Sequence, residues 1–395
     1  MADTPSKPLA AIACGGTGGH IFPGLAVGEE LLARGAAVIL MVSQKEVDQQ
    51  AVQSAAGMEV VALPAVGLTR RHIARFAVGF GRSVLAARRL FRQHPPQAVL
   101  SMGGFTSAPP VLAGKALGAV TFLHESNTIP GRANRWLARF VDQAFVGFPS
   151  TAARLRHRNV VSTGTPVRPQ FRPADAASCR LALGLDPGRP VLLVMGGSQG
   201  ARGVNELVLR ALPGLVPAVP ELQYVHLTGP ADGERVQAGY AAHHARAVVR
   251  VFLTEMELAM GAATVAVTRA GASSLAELAA MRLPPILVPY PYAADNHQAV
   301  NARALADAGA ALLLEQRDAT GEKLASMVLR LVLDPGAHSA MSQELARWHS
   351  PQAARQIAEK ILALMKAINS GGDLARGGSD GNKPSQIDRA QAALL

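Results

Sequence analysis

The chain is poor in the residues that staple small or secreted proteins together. It carries two cysteines in 395 residues, Cys14 and Cys179. That is too few for a disulfide framework or a thiolate zinc site, and a reducing compartment is the expected home. Aromatic residues make up 4% and charged residues 17%. No apolar run approaches the roughly 20 residues that a bilayer-spanning helix needs, so a soluble or peripheral protein is expected rather than an integral one. The first apolar run, LAAIA, stops at glycine before it reaches the length of a signal-peptide core. Acid is missing locally: between Glu59 and Glu125 there is no Asp or Glu.

What is present is apolar and basic. Hydrophobic residues make up 49%, and Lys+Arg of 39 against Asp+Glu of 28 leaves a net charge of +11. Such a balance points to an anionic partner: nucleic acid, acidic lipid or a phosphorylated substrate. Short apolar runs, many of them bounded by glycine or proline, alternate with helical patterns throughout. Strands of this kind are buried on both faces, so the expected fold class is α/β, with two doubly wound parallel sheets in tandem. The proline-rich stretch Pro166 to Pro173 separates them. The expected organisation is a flexible start (1–8), a first domain (9–168), a second domain (169–346), a C-terminal helix (347–369) and a disordered tail (370–395).

Each domain opens with the same device, an apolar strand, a glycine-rich loop and then a helix: AIACGGTGGH in the first and LLVMGGSQG in the second. Such a turn aims backbone N–H groups and the positive end of a helix dipole at an anion, although a tight turn without a ligand would look the same. A nicotinamide site is excluded. GGTGGH is not G-x-G-x-x-G, and the second strand ends in ILMVSQK with no acid for a ribose. No G-x-x-x-x-G-K-[ST] loop is present. GGSQG matches the hydrolase nucleophile elbow formally, but the His and Asp it would need are not at later strand ends. A third loop, TRAGASSLAELAAM, places small hydroxyl residues at a helix start, followed by Glu277, either a cap or a ribose acceptor. In PYPYAADNHQAVNA, residues Asp295, Asn296, Gln298 and Asn301 offer groups suited to sugar hydroxyls or to helix capping.

Seven motifs in order, GGTGGHIFPGLAV, SMGGFTSAPP, LHESNTIPGRANRWLA, GTPVR, GGSQGARGVN, TRAGASSLAELAA and DNHQAVNA, cover nearly the whole chain. Together they resemble the MurG family of peripheral glycosyltransferases, which add N-acetylglucosamine to lipid I to make lipid II. The resemblance implies a GT-B fold, two Rossmann-like domains facing across a cleft, with the C-terminal helix crossing back to the first. It implies UDP-GlcNAc as donor, met by Thr17, Gly18, Gly19, Asn127 and Arg168 from the first domain and linker. From the second domain it adds Ser198, Leu253, the run Ala272, Ser273, Ser274, Leu275, Ala276 and Glu277, and Gln298. In the family the Leu253 backbone reads uracil, the Glu277 carboxylate the ribose and the Gln298 amide the sugar. Phe105 replaces a common tyrosine, so any hydroxyl role there is absent, whereas Ser274 preserves a hydroxyl where threonine is usual.

The implied reaction inverts the anomeric carbon and needs a base near neutral pH. His20 is the candidate base, with a positional role as the alternative, and Glu125 is the second candidate. Helix N-termini at Thr17–Gly19 and Ala272–Ser274 would bear the leaving charge, with no metal and no cofactor. The acid-free segment holds Arg70, Arg71, Arg75, Arg82, Arg88 and Arg89, with Ile73, Phe76, Phe80, Val84 and Phe91 near helical spacing. A basic amphipathic helix suits an acidic membrane surface, and no nucleic-acid-binding module accompanies it. The expected site of action is the cytoplasmic face of the bacterial inner membrane. Expected partners are lipid I, acidic lipid and other cell-wall synthesis and division proteins.

Overall fold

The computed structural model describes residues 7–15, 18–44, 55–64, 73–197 and 199–374. They form two compact units. The first comprises residues up to Ser126, then Pro130–Pro166, then the chain from Gln352; the second comprises Asn127–Ile129 and Val167–Pro351.

The first unit is built on seven parallel strands: β1 (Leu9–Ala13), β2 (Ala37–Ser43), β3 (Glu59–Leu63), β4 (Ala98–Ser101), β5 (Val120–Glu125), β6 (Gln143–Val146) and β7 (Val160–Ser162). Their order is β3-β2-β1-β4-β5-β6-β7. The central strands are buried on both faces, which is why their sequences are continuous apolar runs rather than alternating ones. Helices α1 (Gly18–Ala33), α2 (Ile73–Gln93), α3 (Ala108–Ala116) and α4 (Arg132–Leu137) follow β1, β3, β4 and β5. The strand order reverses direction between β1 and β4, so the loops after these two strands part at the sheet's C-terminal edge and leave a crevice there.

The second unit repeats the plan with six parallel strands: β8 (Val191–Met195), β9 (Gln223–Leu227), β10 (Ala247–Arg250), β11 (Val265–Thr268), β12 (Pro285–Leu287) and β13 (Leu312–Leu313). The order β10-β9-β8-β11-β12-β13 puts its switch point between β8 and β11. Helices α5 (Arg202–Ala218), α6 (Ala272–Met281) and α7 (His297–Asp307) follow β8, β11 and β12.

The C-terminal helix runs over Ala353–Leu374, later than the expected 347–369, because Trp348 closes a preceding helix and Pro351 interrupts the path between them. The expected tail therefore loses 370–374 to helix, and 375–395 lie outside the described residues, as do 1–6. Ile357, Ile361, Leu364 and Met365 recur at helical spacing and are buried with Ile21, Leu25 and Leu31 of α1. Arg34 and Glu359 add an ion pair at 3.4 Å. The unit boundary at Pro166/Val167, rather than after 168, assigns Arg168 to the second unit, and Asn127 goes with it. Ile361→Ala is expected to destabilise the first unit by about 2–5 kcal/mol. A denaturant transition unmoved by this change would mean that the helix is not docked on α1.

Candidate functional site

In the first unit the GGTGGH loop leaves β1 and the GGFTS loop leaves β4, the two strands that flank the switch point. His20 lies in the first turn of α1, half-buried, with Nδ1 2.9 Å from the carbonyl oxygen of Met102. A carbonyl can only accept, so Nδ1 carries the hydrogen, and in the neutral ring Nε2 is the basic nitrogen. The ring packs on Gly103, where φ is +103° and an added Cβ would stand 3.0 Å from two ring atoms. Glycine is required there on both counts. Ser101 Oγ donates to Ser107 Oγ (2.7 Å) and accepts from Gly103 N (3.2 Å), while Ser107 Oγ donates to Gly104 O (2.8 Å). This hydroxyl chain holds the loop that holds the histidine.

Glu125 ends β5 and is 2% exposed. Its Oε2 accepts from Gly131 N and from Asn134 Nδ2, both at 2.9 Å. A buried carboxylate used in this way anchors the start of α4, and it is less suited than His20 to taking a proton from a substrate. His124 is fully buried, with Nε2 donating to Gly164 O (3.0 Å) and Ser126 Oγ 3.2 Å from Nδ1. Burial depresses its pKa, and strand-end packing accounts for it.

In the second unit the GGSQG loop leaves β8 and the RAGASS loop leaves β11, again astride the switch point. Gly200 has φ +73° and packs directly on the Thr228–Gly229 backbone, leaving no space for a Cβ. That backbone is held from behind. Asn205 Nδ2 donates to Thr228 O (3.0 Å) and Asp232 Oδ2 (2.9 Å), and His226 Nε2 donates to Asn205 Oδ1 (3.0 Å). Tyr240 donates to His226 Nδ1 (2.9 Å), and burial drives His226 down to about 3, so it stays neutral. Sequence patterns offer no signal for this network, because its members are scattered and become neighbours only through the fold.

Helix α6 starts at Ala272 with Gly271 as its cap, so the N–H groups of Ala272, Ser273 and Ser274 form its first turn. Glu277 lies one turn further on. Loss of water pushes its pKa up to about 7; the Arg168 guanidinium opposes that shift and Glu257 adds to it. Arg168 is buried over the Phe171 ring, 5.1 Å from the centroid. Gln298, in the first turn of α7, accepts at Oε1 from Tyr290 N (2.9 Å) and Ala270 N (3.3 Å). Both partners are pure donors, so the amide orientation is set and Nε2 is the group turned away from them. Arg269 ties the same region down, donating to Val288 O (3.0 Å) and Pro289 O (3.1 Å).

Asn301 corrects an expectation. It is 0% exposed and spends both ends of its amide on Thr128, Asn127 and Ala270, so it does not meet a sugar. Asn127 and Gln298 are thereby brought to one place around Ala270. Leu253 follows β10, the edge strand, two strands away from β8. Thr17 and Ser198 lie outside the described residues.

The profiles of the glycosyltransferase family 28 N-terminal and C-terminal domains match residues 10–146 and 191–361. A UDP-N-acetylglucosamine--N-acetylmuramyl-(pentapeptide) pyrophosphoryl-undecaprenol N-acetylglucosamine transferase from Anaeromyxobacter sp. (strain Fw109-5) is 39% identical over 360 residues, 90% of this chain and 93% of that protein. The crystal structure of Acinetobacter baumannii MurG superposes with a TM-score of 0.69 at 26% identity, covering 90% of this chain and 99% of that one. The chain belongs to the MurG family. Its fold is accordingly GT-B. A UDP-N-acetylglucosamine 2-epimerase structure shares that fold at 14% identity and a TM-score of 0.64, over 96% of this chain and all of that one.

For a MurG-family protein, the surface of the first unit bears on where it works. Among the described residues no helix is long and apolar enough to cross a membrane, and no cluster of three or more potential metal ligands occurs. Helix α2 is amphipathic, but much of the stripe expected to meet lipid faces inward. Phe91 is buried in the core and Phe80 packs against it, because α2 docks along α3 through that stripe. The opposite face shows Val78 (63% exposed) and Leu85 (56%) among the exposed Arg82, Arg88 and Arg89. Arg70 and Arg71 lie outside the described residues, and the structure describes only the backbone of Ile73 and Arg75. Phe76, Phe80, Trp136 and Phe140 form a chain of ring contacts, at centroid spacings of 5.9, 6.5 and 4.9 Å, that links α2 to the exposed arginines of α4.

The raised Glu277 pKa has a consequence for folding. A carboxyl group raised from 4.5 to about 7 binds its proton more tightly in the folded state. Its contribution to stability is full below pH 4.5 and is lost as the pH rises to about 7. Glu277→Gln should therefore raise the melting temperature at pH 8 and leave it nearly unchanged at pH 4. An equal shift at both values would rule out a strained carboxylate.

Proposed function

We propose that this chain transfers N-acetylglucosamine, with inversion, from UDP-GlcNAc to the 4-hydroxyl of the undecaprenyl-diphosphate-linked muramoyl-pentapeptide. The observation that carries this reading is the pairing, in each unit, of switch-point glycine loops with groups suited to one half of the reaction. The first unit supplies His20, whose Nε2 is the basic ring nitrogen while Nδ1 donates to Met102 O. The second supplies Glu277 as acceptor for ribose hydroxyls and Gln298 as donor to the sugar. The names of the relatives at 35–39% identity support the same donor and a lipid-linked acceptor.

In this reaction the acceptor oxygen attacks the anomeric carbon and its proton passes to His20 Nε2. The bond from that carbon to the β-phosphate oxygen breaks, and UDP leaves with the electron pair. The helix N-terminus at Ala272–Ser274, in the unit that holds the donor in this reading, is suited to stabilise the departing charge. His20→Ala should lower kcat by roughly 10²–10⁴-fold while the KM for UDP-GlcNAc changes little. Unchanged turnover would remove His20 from the chemistry. UDP release that never depends on a lipid I analogue would replace the transferase reading with an epimerase-like one.

The protein works as a peripheral enzyme on the cytoplasmic face of the inner membrane. Val78, Leu85 and the arginines around them, with Trp136 beside the α4 arginines, support contact with acidic lipid. Each basic group at such a surface is worth about 1 kcal/mol, so reversing Arg82, Arg88 and Arg89 to Glu should weaken binding to phosphatidylglycerol vesicles by roughly a hundredfold or more. Co-sedimentation equal to wild type would place the contact elsewhere.

A further inference from the structure

The peptide unit between Met102 and Gly103 has both of its ends committed. Its carbonyl oxygen accepts from His20 Nδ1 (2.9 Å), and its N–H donates to Ser101 Oγ (3.2 Å). Two serines then fix the direction of every hydrogen behind it. Gly104 O can only accept, so the Ser107 hydroxyl hydrogen goes there (2.8 Å). Ser107 Oγ is left to accept from the Ser101 hydroxyl (2.7 Å), and Ser101 Oγ to accept from Gly103 N. Both serines are 0% exposed, so bulk water offers them no other arrangement.

This order matters because the peptide runs into Gly103 and Gly104, at φ +103° and +81°. Glycine takes either sign of φ at little cost, so no Cβ opposes a flip of the Met102–Gly103 plane. Such a flip would turn the N–H toward His20 and the carbonyl toward Ser101. Nδ1 would then have to accept, and the ring hydrogen would move to Nε2. Against this, the flipped carbonyl would face a Ser101 oxygen whose hydrogen is already spent on Ser107.

We propose that Ser101 and Ser107 are positioning residues that hold His20 in its Nδ1–H tautomer by disfavouring the flip of the peptide it bonds. The serine pair decides which ring nitrogen is basic, as a buried carboxylate does in a Ser-His-Asp triad. The consequence for turnover rests on the reading above that His20 Nε2 takes the acceptor's proton; the tautomer itself does not.

The test reads the His20 ring nitrogens by nitrogen NMR of the full chain carrying isotope-labelled histidine. It is run at about pH 9, well above the ordinary histidine range. His20→Ala assigns the signals by their absence. Wild type should carry its hydrogen on Nδ1. Ser101→Ala removes the acceptor of Gly103 N. Ser107→Ala touches neither end of the peptide, but it frees the Ser101 hydrogen for a flipped carbonyl. Both variants should show a mixture with hydrogen on Nε2. Their kcat should fall about five- to fiftyfold while the KM for UDP-GlcNAc holds. Ser107→Ala keeps the Gly103 N–H satisfied, so it carries the test where Ser101→Ala melts early. A ring that stays Nδ1–H in Ser107→Ala, or that is Nε2–H in wild type, would overturn the proposal. On a His20→Ala background, Ser107→Ala should cost nothing further in turnover; a further loss would mark general damage and overturn the positioning role. Turnover unchanged by His20→Ala would remove the catalytic reading instead, and the ring signals would still decide the tautomer.

Discussion

Everything chemical in this chain depends on one constraint of parallel sheets. Neighbouring strands that run the same way must be joined by helices, and where the winding changes direction two neighbouring loops part company. The β1/β4 and β8/β11 junctions are these places, and all four glycine-rich loops leave from them. Backbone N–H groups at those loops cannot enter the sheet ladder and have helix starts behind them. Glycine is demanded because the chain must turn in the left-handed region and let other backbone or a histidine ring press against it, as at Gly200 and Gly103.

This explains which parts of the fold were legible. Strands buried on both faces leave a continuous apolar run, as β1, β2, β4 to β6, β8, β9, β11 and β12 do. The edge strands β3, β7, β10 and β13 have residues that are largely exposed or half-buried, so their runs, such as EVVAL and VVS, are short or interrupted signals. The domain boundary was displaced for a similar reason. Proline content marks where a chain turns, but the packing of Asn127 and Arg168 with the second unit is a property of contacts far apart in sequence. The basic helix was found correctly as a helix, but part of its apolar stripe, Phe80 and Phe91, packs into the core beside α3, and the large apolar side chains left exposed, Val78 and Leu85, lie between the arginines.

The site was legible in its loops and illegible in its supports. Glycines, His20, Glu277 and Gln298 announce themselves by motif. The serines behind Gly103, the Asn205–His226 pair behind Gly200 and the saturated amide of Asn301 do not, because each acts on backbone rather than on substrate. A polar group buried on backbone costs little once satisfied and removes the alternatives that an unheld loop would sample. Glu277 is the counterexample: loss of water leaves its carboxyl raised to about 7 rather than stabilised as an ion.

The C-terminal helix has a further consequence, for how the protein comes into being. The chain passes between its two units at Ser126/Asn127, Ile129/Pro130, Pro166/Val167 and Pro351/Gln352, so neither unit is a continuous stretch of polypeptide. The helix that completes the first core is made after the whole of the second unit. Until then α1 has part of its apolar face uncovered, including Ile21 and Leu25. Synthesis therefore finishes the second-encoded unit before the first, and the earliest-made core waits longest for its cover.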